Sequence, residues 1–286
     1  MRPNDDLGGF RPTYGVELLY VEPPIFHKRE VLQAIRRRSS SALPLDDNWD
    51  EGLLAFVHPD HVVTYSDGRA PAQTLVAITR EPPTGELIES ALQQSWKFRN
   101  AREVIDLCTS AVLVTDIMAA NLPYRERFNL FSAVLLAVMD VAPPDAIHWQ
   151  PSQQIVQPST YLSAATGSEK ERFCSSGVNV RLFNITGSEG EMVMDTIGLA
   201  ALGLPDIQCY FRKLEPRTVA GVLYSLAAYM LENGDVIETG HTVEGIEPGS
   251  KWHCQHEASL VPPNREVIDI DPGGSNAAGA RNCDTA

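Results

Sequence analysis

Asp195 and Asp206 stand near the two ends of the stretch DTIGLAALGLPDIQ, residues 195–208. Two carboxylates held close by one rigid turn can act as acid and base or share a metal ion. With His241 downstream to carry a proton, Asp195, Asp206 and His241 form the candidate catalytic set of a hydrolase-like enzyme. Each aspartate also has a plainer duty. Asp195-Thr196 after a strand reads as a helix N-cap, and Ile197, Leu199, Ala200 and Leu202 then supply a short apolar helix that Gly203 ends. Leu204-Pro205 forces an extended path, because a residue before proline avoids the α region, and Asp206 becomes a turn former on a sharp exit. Leu204, Pro205 and Asp206 are the candidate binding surface.

The run His253-Cys254-Gln255-His256 offers His253, Cys254 and His256 as metal ligands, and His58 and His61 offer a pair flanking a strand turn. Zinc needs three or four ligands that converge, usually from more than one element, so neither cluster is expected to hold a metal, and no cofactor is expected. Cys174 and Cys108 become nucleophiles only if the fold brings up a histidine such as His148 or His241; an inert thiol is the commoner state. G-x-S-x-G, a Walker loop, a dinucleotide fingerprint and H-E-x-x-H are all absent from the sequence. The sequon at Asn184 falls in an expected strand and is read as chance. Trp149, Tyr229 and Trp252 could anchor a partner, but aromatic residues on helix and strand faces are more often core.

These residues belong to a chain of 286 residues, 43% hydrophobic, with a formal charge of -14. Its longest apolar run, Ala133 to Met139, is far short of the ~20 residues that cross a bilayer. The opening MRPNDDLGGF lacks the pattern of a signal peptide, so a cytoplasmic location and no membrane partner are expected. The five cysteines are scattered without a C-x-x-C pair, which argues against a disulfide scaffold. So acidic a chain is not expected to bind nucleic acid. Its only basic cluster, Arg36-Arg37-Arg38, sits where a helix ends and complements the helix dipole. An acidic surface does favour a basic protein partner through steering. The oligomeric state stays open.

The elements that must position these residues follow from periodicity. GVELLYVE (15–22) reads as a strand, 27–38 as a helix, 53–57 and 61–65 as two strands around His58-Pro59-Asp60, and 74–78 as another. A helix over 85–96, a strand over 111–118, a helix over 124–141 and a strand over 146–150 follow. The class is α+β, with an N-terminal ferredoxin-like βαββαβ layer over 13–165 packed with a smaller C-terminal α+β half over 166–256. The polar segment 166–177 is the expected boundary. Beyond it VNVRLFNI and 191–194 form a hairpin, Pro216 opens a helix that Asn233-Gly234 caps, and 235–246 reads as a last strand or hairpin. Residues 1–12 and 257–286 are expected to be a disordered terminus and a disordered tail.

The hairpin with VNVRLFNI, the motif MDTIGLAALGLPDIQCYF and the helix ending ENGDVIETGHTVEG resemble the bacterial domain-of-unknown-function family 4261. AVLVTDIM, EPPTGELIESALQQSW and VEPPIF are similar to its longer members, so the likeness runs over about residues 14–248 and is strongest from 178 to 246. The family brings no established catalytic residue to carry over. Some small acidic bacterial proteins are immunity or adaptor partners of secreted toxins, and family likeness alone does not give function. The expectation is a non-enzymatic bacterial protein-binding module with a basic partner, and the alternative is the hydrolase-like enzyme.

Overall fold

The computed structural model describes residues 11–39, 41–45, 52–66, 68–81 and 84–279. The loose terminus expected over 1–12 lies outside the described residues as far as residue 10. The chain divides into two compact units, Phe10–Gly177 and a C-terminal one containing Val178–Ala286. Both are α+β, and both sheets are mostly antiparallel.

The N-terminal unit runs β1 (Gly15–Tyr20), α1 (Lys28–Arg38), β2 (Leu43–Pro44), β3 (Leu53–Tyr65), β4 (Gly68–Thr79), α2 (Glu86–Gln93), α3 (Ala101–Leu107) and β5 (Ser110–Ile117). It continues with α4 (Tyr124–Val141), β6 (Ala146–Trp149), β7 (Gln154–Val156), α5 (Pro158–Ala165) and α6 (Glu169–Arg172). Its sheet has seven strands in the order β2-β3-β4-β5-β1-β6-β7, wider than the expected βαββαβ layer. The two strands expected around His58-Pro59-Asp60 are one, because the register shifts between His58 and Val62 without breaking the pairing to β4. A bulge absorbs extra residues and bends a strand rather than ending it.

One face of this sheet is closed. Leu54, Phe56, Thr74, Val76, Val112, Val114, Val16 and Leu18 are all buried on it. Phe131 of α4 meets Tyr14 and Trp149 edge-on at centroid distances of 5.0 and 6.2 Å. Beneath α4, Arg127 donates through Nε to Asp116 at 2.6 Å, and both side chains are buried. On the opposite face α2 and α3 pack Ile88, Ala91, Ala101 and Ile105 against Leu19, Ala111, Ala146 and Ile155. The expected boundary, 166–177, is built into this unit. Ser168 and Glu171 form a capping box at the start of α6, and Ser152 Oγ and Gln154 Nε2 each donate to the Ser176 carbonyl at 2.6 Å.

The C-terminal unit contains β8 (Asn179–Asn184), β9 (Glu191–Ile197), β10 (Asp206–Arg212), α7 (Pro216–Asn233), β11 (Thr242–Glu244), β12 (Lys251–Ala258) and β13 (Glu266–Asp271). The sheet order is β11-β12-β13-β10-β9-β8, with β10 and β13 parallel. Helix α7 starts with Pro216 in its first turn and ends at Gly234, as its sequence signals require.

Three expectations are corrected here. Asp195 and Thr196 are not a helix cap, because β9 continues through them to Ile197 in register with β8, and the only helical turn in the motif is a 3₁₀ turn over Ala200–Leu202. Gly203 does close it, at φ 85°, a left-handed conformation that suits glycine. The strand expected over 235–246 is confined to β11. Within the expected tail of 257–286, β12 runs to Ala258, β13 follows, and a 3₁₀ turn spans Gly274–Asn276; residues 280–286 lie outside the described residues. A polar composition misled there. β13 is short, but it pairs on both sides and buries Val267, Ile268 and Ile270.

Candidate functional site

Register in the C-terminal sheet aligns one polar row across five strands, Arg181, Asp195, Gln208, Asp269 and Gln255. Side chains in register share a face, and this face is polar while the other carries Cys209, Phe211, Ile268 and Ile270. Asp206 joins the row from the β10 start through Arg265. Arg265 Nη2 donates to Asp195 Oδ2 at 2.5 Å and Nε to Asp206 Oδ2 at 2.9 Å. Arg181 closes on Asp195 with Nε to Oδ1 at 2.9 Å and Nη2 to Oδ2 at 2.5 Å. Asp206 Oδ1 accepts from Thr196 Oγ1 at 3.0 Å and from the Leu199 amide at 3.1 Å. The guanidinium groups also bind the 261–263 loop, Arg181 through the Pro262 carbonyl and Arg265 through that of Pro263, both at 2.9 Å.

The two aspartates expected to face each other therefore do converge, but around guanidinium groups. Asp195 and Asp206 are 0% exposed, and each of their four oxygens accepts a hydrogen bond. Burial pushes the Asp206 carboxyl up, while the Arg265 charge pulls it back down. Against its own burial, Arg265 is held above its ordinary value by Asp206 and Asp195, and its charge-assisted bonds mark the pair as ionised. Each carboxylate accepts three hydrogen bonds in a site closed to solvent, an arrangement that suits a structural ion pair. The cluster is a clasp that fastens β8, β9, β10 and the 261–263 loop.

His241 is no part of it. Its ring is exposed, accepts from the Glu238 amide through Nδ1 at 3.2 Å and stands 3.9 Å from the Glu238 carboxylate. Leu204 and Pro205 are buried, so they present no surface to a partner. Strand alternation separates His253 from Cys254 and His256. His256 uses both ring nitrogens, on Glu266 at 3.1 Å and the Ile237 carbonyl at 2.7 Å, while burial pushes the Cys254 thiol up to about 11. Among the described residues no three His, Cys, Asp or Glu side chains are grouped to hold a metal ion. Cys108 is likewise buried, its thiol pushed up to about 11; Cys174 is half-buried, and His148 is bound to Glu17 at 2.6 Å. His58 shares a 2.8 Å hydrogen bond with Thr74 Oγ1, and His61 pairs with Glu126 at 2.7 Å. Trp149 and Trp252 are core, and Tyr229 is exposed.

The feature that sequence reasoning missed lies in the N-terminal unit. Helices α2 and α3 roof only the end of their sheet face near β1, β6 and β7. Among the described residues, the same face stays partly open over β2 to β5. Its registered rows are Leu43, Val57, Gln73 and Ile117; Ala55, Leu75, Thr115 and Gly15; and Leu53, Ala77, Leu113 and Glu17. Leu43 is 47% and Leu53 44% exposed, and Val57, Leu75, Ala77, Leu113 and Ile117 are half-buried. A solvated sheet face normally alternates to polar residues; this one is mostly apolar, with Gln73, Thr115 and Glu17 its polar members. The signal was in the sequence, since LLAFV and TLVAI carry apolar residues at both parities, the pattern of strands covered on both sides. Arg265 had no comparable signal, because nothing local to it announces two carboxylates seventy and fifty-nine positions upstream.

Fold and site together define an α+β protein of two units, with a buried ionic clasp in one and a partly open apolar sheet face in the other. Residues 195–271 match the family described as Domain of unknown function (DUF4261), and that stretch belongs to it. The match begins at Asp195 of the clasp and ends with β13, so it contains Asp195, Asp206 and Arg265. No curated protein and no solved structure matches the chain. Among the described residues no helix is long and apolar enough to cross a membrane.

Proposed function

We propose that this chain is a bacterial, cytoplasmic, non-enzymatic protein-binding module, of the kind that serves as a toxin immunity protein or a secretion adaptor. The observation that carries this reading is the open apolar half of the N-terminal sheet. A contiguous apolar surface is costly to leave in water and marks a place where another molecule docks. The charge of -14 supports a basic partner. So does the exposed stretch 235–247, in which Asp235, Glu238, Glu244 and Glu247 occur without a Lys or Arg. The antiparallel order β4-β5-β1-β6, with α1 and α4 packed together, supports a ferredoxin-like kernel at the centre of the wider sheet. The hydrolase-like reading requires Asp195, Asp206 and His241 in one solvent-reached cleft, and no observation favours it.

The test is site-specific photo-crosslinking in the native host, with the crosslinker at Leu75 or Leu113 and, as a control, at Glu232 on the exposed side of α7. An adduct formed from the sheet positions and abolished by Leu53→Asp is the expected result. Equal adducts from all positions, or none from Leu75 and Leu113, would sink the reading.

A further inference from the structure

Between the end of α7 and β11 the chain runs through residues 235–241 with no helix or strand of its own. Gly234 and Gly240 turn it at φ 83° and 89°, and of the residues between them Ile237 alone is buried. The far end of the stretch pairs with β12, the Gly240 amide donating to the Cys254 carbonyl and the Cys254 amide to that of His241, both at 2.9 Å. Nearer the helix the hold comes from His256. Its amide donates to Thr239 Oγ1 at 3.0 Å, and its ring Nε2 meets the Ile237 carbonyl at 2.7 Å. Nδ1 of the same ring meets Glu266 Oε1, on β13, at 3.1 Å.

Both partners of the ring are acceptors. A carbonyl oxygen has no proton to give, and neither has an ionised carboxylate, so each contact needs an N–H from the imidazole. A neutral imidazole has only one. The ring therefore makes both bonds as imidazolium, and loss of one proton leaves a lone pair facing an oxygen.

The surroundings favour the charged form. Burial opposes it, but the bonds to Ile237 and Glu266 and the charges of Asp235 and Glu266 hold the imidazole above its ordinary value. Glu238 and His241, on the same stretch, engage each other, the Glu238 amide donating to His241 Nδ1 at 3.2 Å. Cys254 shares the face of His256, and burial keeps its thiol protonated. Lys251, His253 and Glu257 on β12, with Asp269 and Asp271 on β13, alternate to the other face.

We propose that His256 is a proton-operated latch, whose two ring N–H groups tie residues 235–239 to β13 and whose deprotonation frees them. The latch goes beyond the binding role proposed above and does not depend on it. Because the folded chain holds this proton more tightly than the unfolded one, the latch is fully closed below the ordinary 6.5 and opens as pH rises through the raised value.

The test is NMR of the full chain titrated upward from pH 6, with the histidine rings read through their nitrogen shifts and the stretch through the amides of residues 236–240. The expected result is a His256 ring with two protons at pH 6 that titrates above an ordinary histidine, and amides that shift with the same midpoint. Hydrogen-exchange protection of the His256 amide, corrected for the intrinsic rise of exchange with pH, falls several-fold across that midpoint. His256→Gln abolishes the shared titration, Glu266→Gln moves it downward, and His241→Gln leaves it in place. A neutral ring at pH 6, amides that do not follow it, a titration that survives His256→Gln or one that vanishes in His241→Gln overturns the inference. If His256→Gln fails to fold, Glu266→Gln, at a partly exposed position, carries the test, and an unchanged midpoint there overturns the inference as well.

Discussion

Arg265 bridges two carboxylates while itself 1% exposed, so the value of the clasp lies in what happens when it is incomplete. A buried pair contributes little over an apolar core, but removing one partner strands an uncompensated charge. Arg265→Met is therefore expected to cost the C-terminal unit about 3–5 kcal/mol in urea unfolding, and a loss below ~1 kcal/mol, the size of a surface pair, would mean that the ions are solvated. His58 carries a prediction of a different kind. Burial, with the nearby His61 charge second, pushes its imidazole down to about 4 from an ordinary 6.5. Between those values the unfolded chain holds the extra proton, so stability is full above pH 6.5 and is lost as pH falls toward 4. At 1.36 kcal/mol per unit the loss between pH 7 and pH 5 is about 2 kcal/mol. Hydrogen exchange of the β3 and β4 amides should show it in the wild type, and His58→Gln should flatten the slope. An unchanged slope in that variant would assign the pH dependence to other groups.

Among the elements, those with long periodic patterns were legible. The span of α4, Tyr124–Val141, is the one the periodicity predicts, and α7 starts at its proline and stops before its glycine. The seven-residue α3 is too short for a periodic signal, and β13 hides in a polar stretch. Two predictions belong here. Gly203→Ala places a Cβ at φ 85°, which costs roughly 1–2 kcal/mol and is read as a lowered midpoint in denaturant; no change would mean that the turn relaxes out of the left-handed region. A chain ended at Ala258 loses β13 and Arg265 together, and with them the parallel partner of β10 and the centre of the clasp. Its C-terminal unit should be digested rapidly by protease, whereas a chain ended at Gly279 should resist. Equal resistance of the two would restore the view of 257–286 as a dispensable tail.

For the whole molecule, the proposed binding role assigns charge and apolar surface to different stages of one association. Under the protein-binding reading proposed above, the charge of -14 would accelerate encounter with a basic partner and the open sheet face would determine how long the complex lasts. Raising the salt should slow association with a partner identified by the crosslinks while leaving its dissociation nearly unchanged, because exposed charges are screened beyond ~8 Å at physiological ionic strength. Stopped-flow mixing separates the two rates, and a salt effect confined to dissociation would contradict this division. An apolar dye should bind the native chain as well, and lose signal in Leu75→Asp and Leu113→Asp.

The sequence by itself determined the α+β class, the long helices, the turn at Gly203 and the family of residues 195–271, because periodicity, capping and proline act over a few neighbouring residues. It also placed Asp195 and Asp206 near one another. Only the tertiary structure decided what their meeting means. Arg181, from β8, and Arg265, from the residue before β13, turn two candidate catalytic carboxylates into a buried ionic clasp. Which half of a sheet face is roofed was decided there too, since a strand apolar on both sides looks the same in sequence whether or not a helix of its own chain covers it.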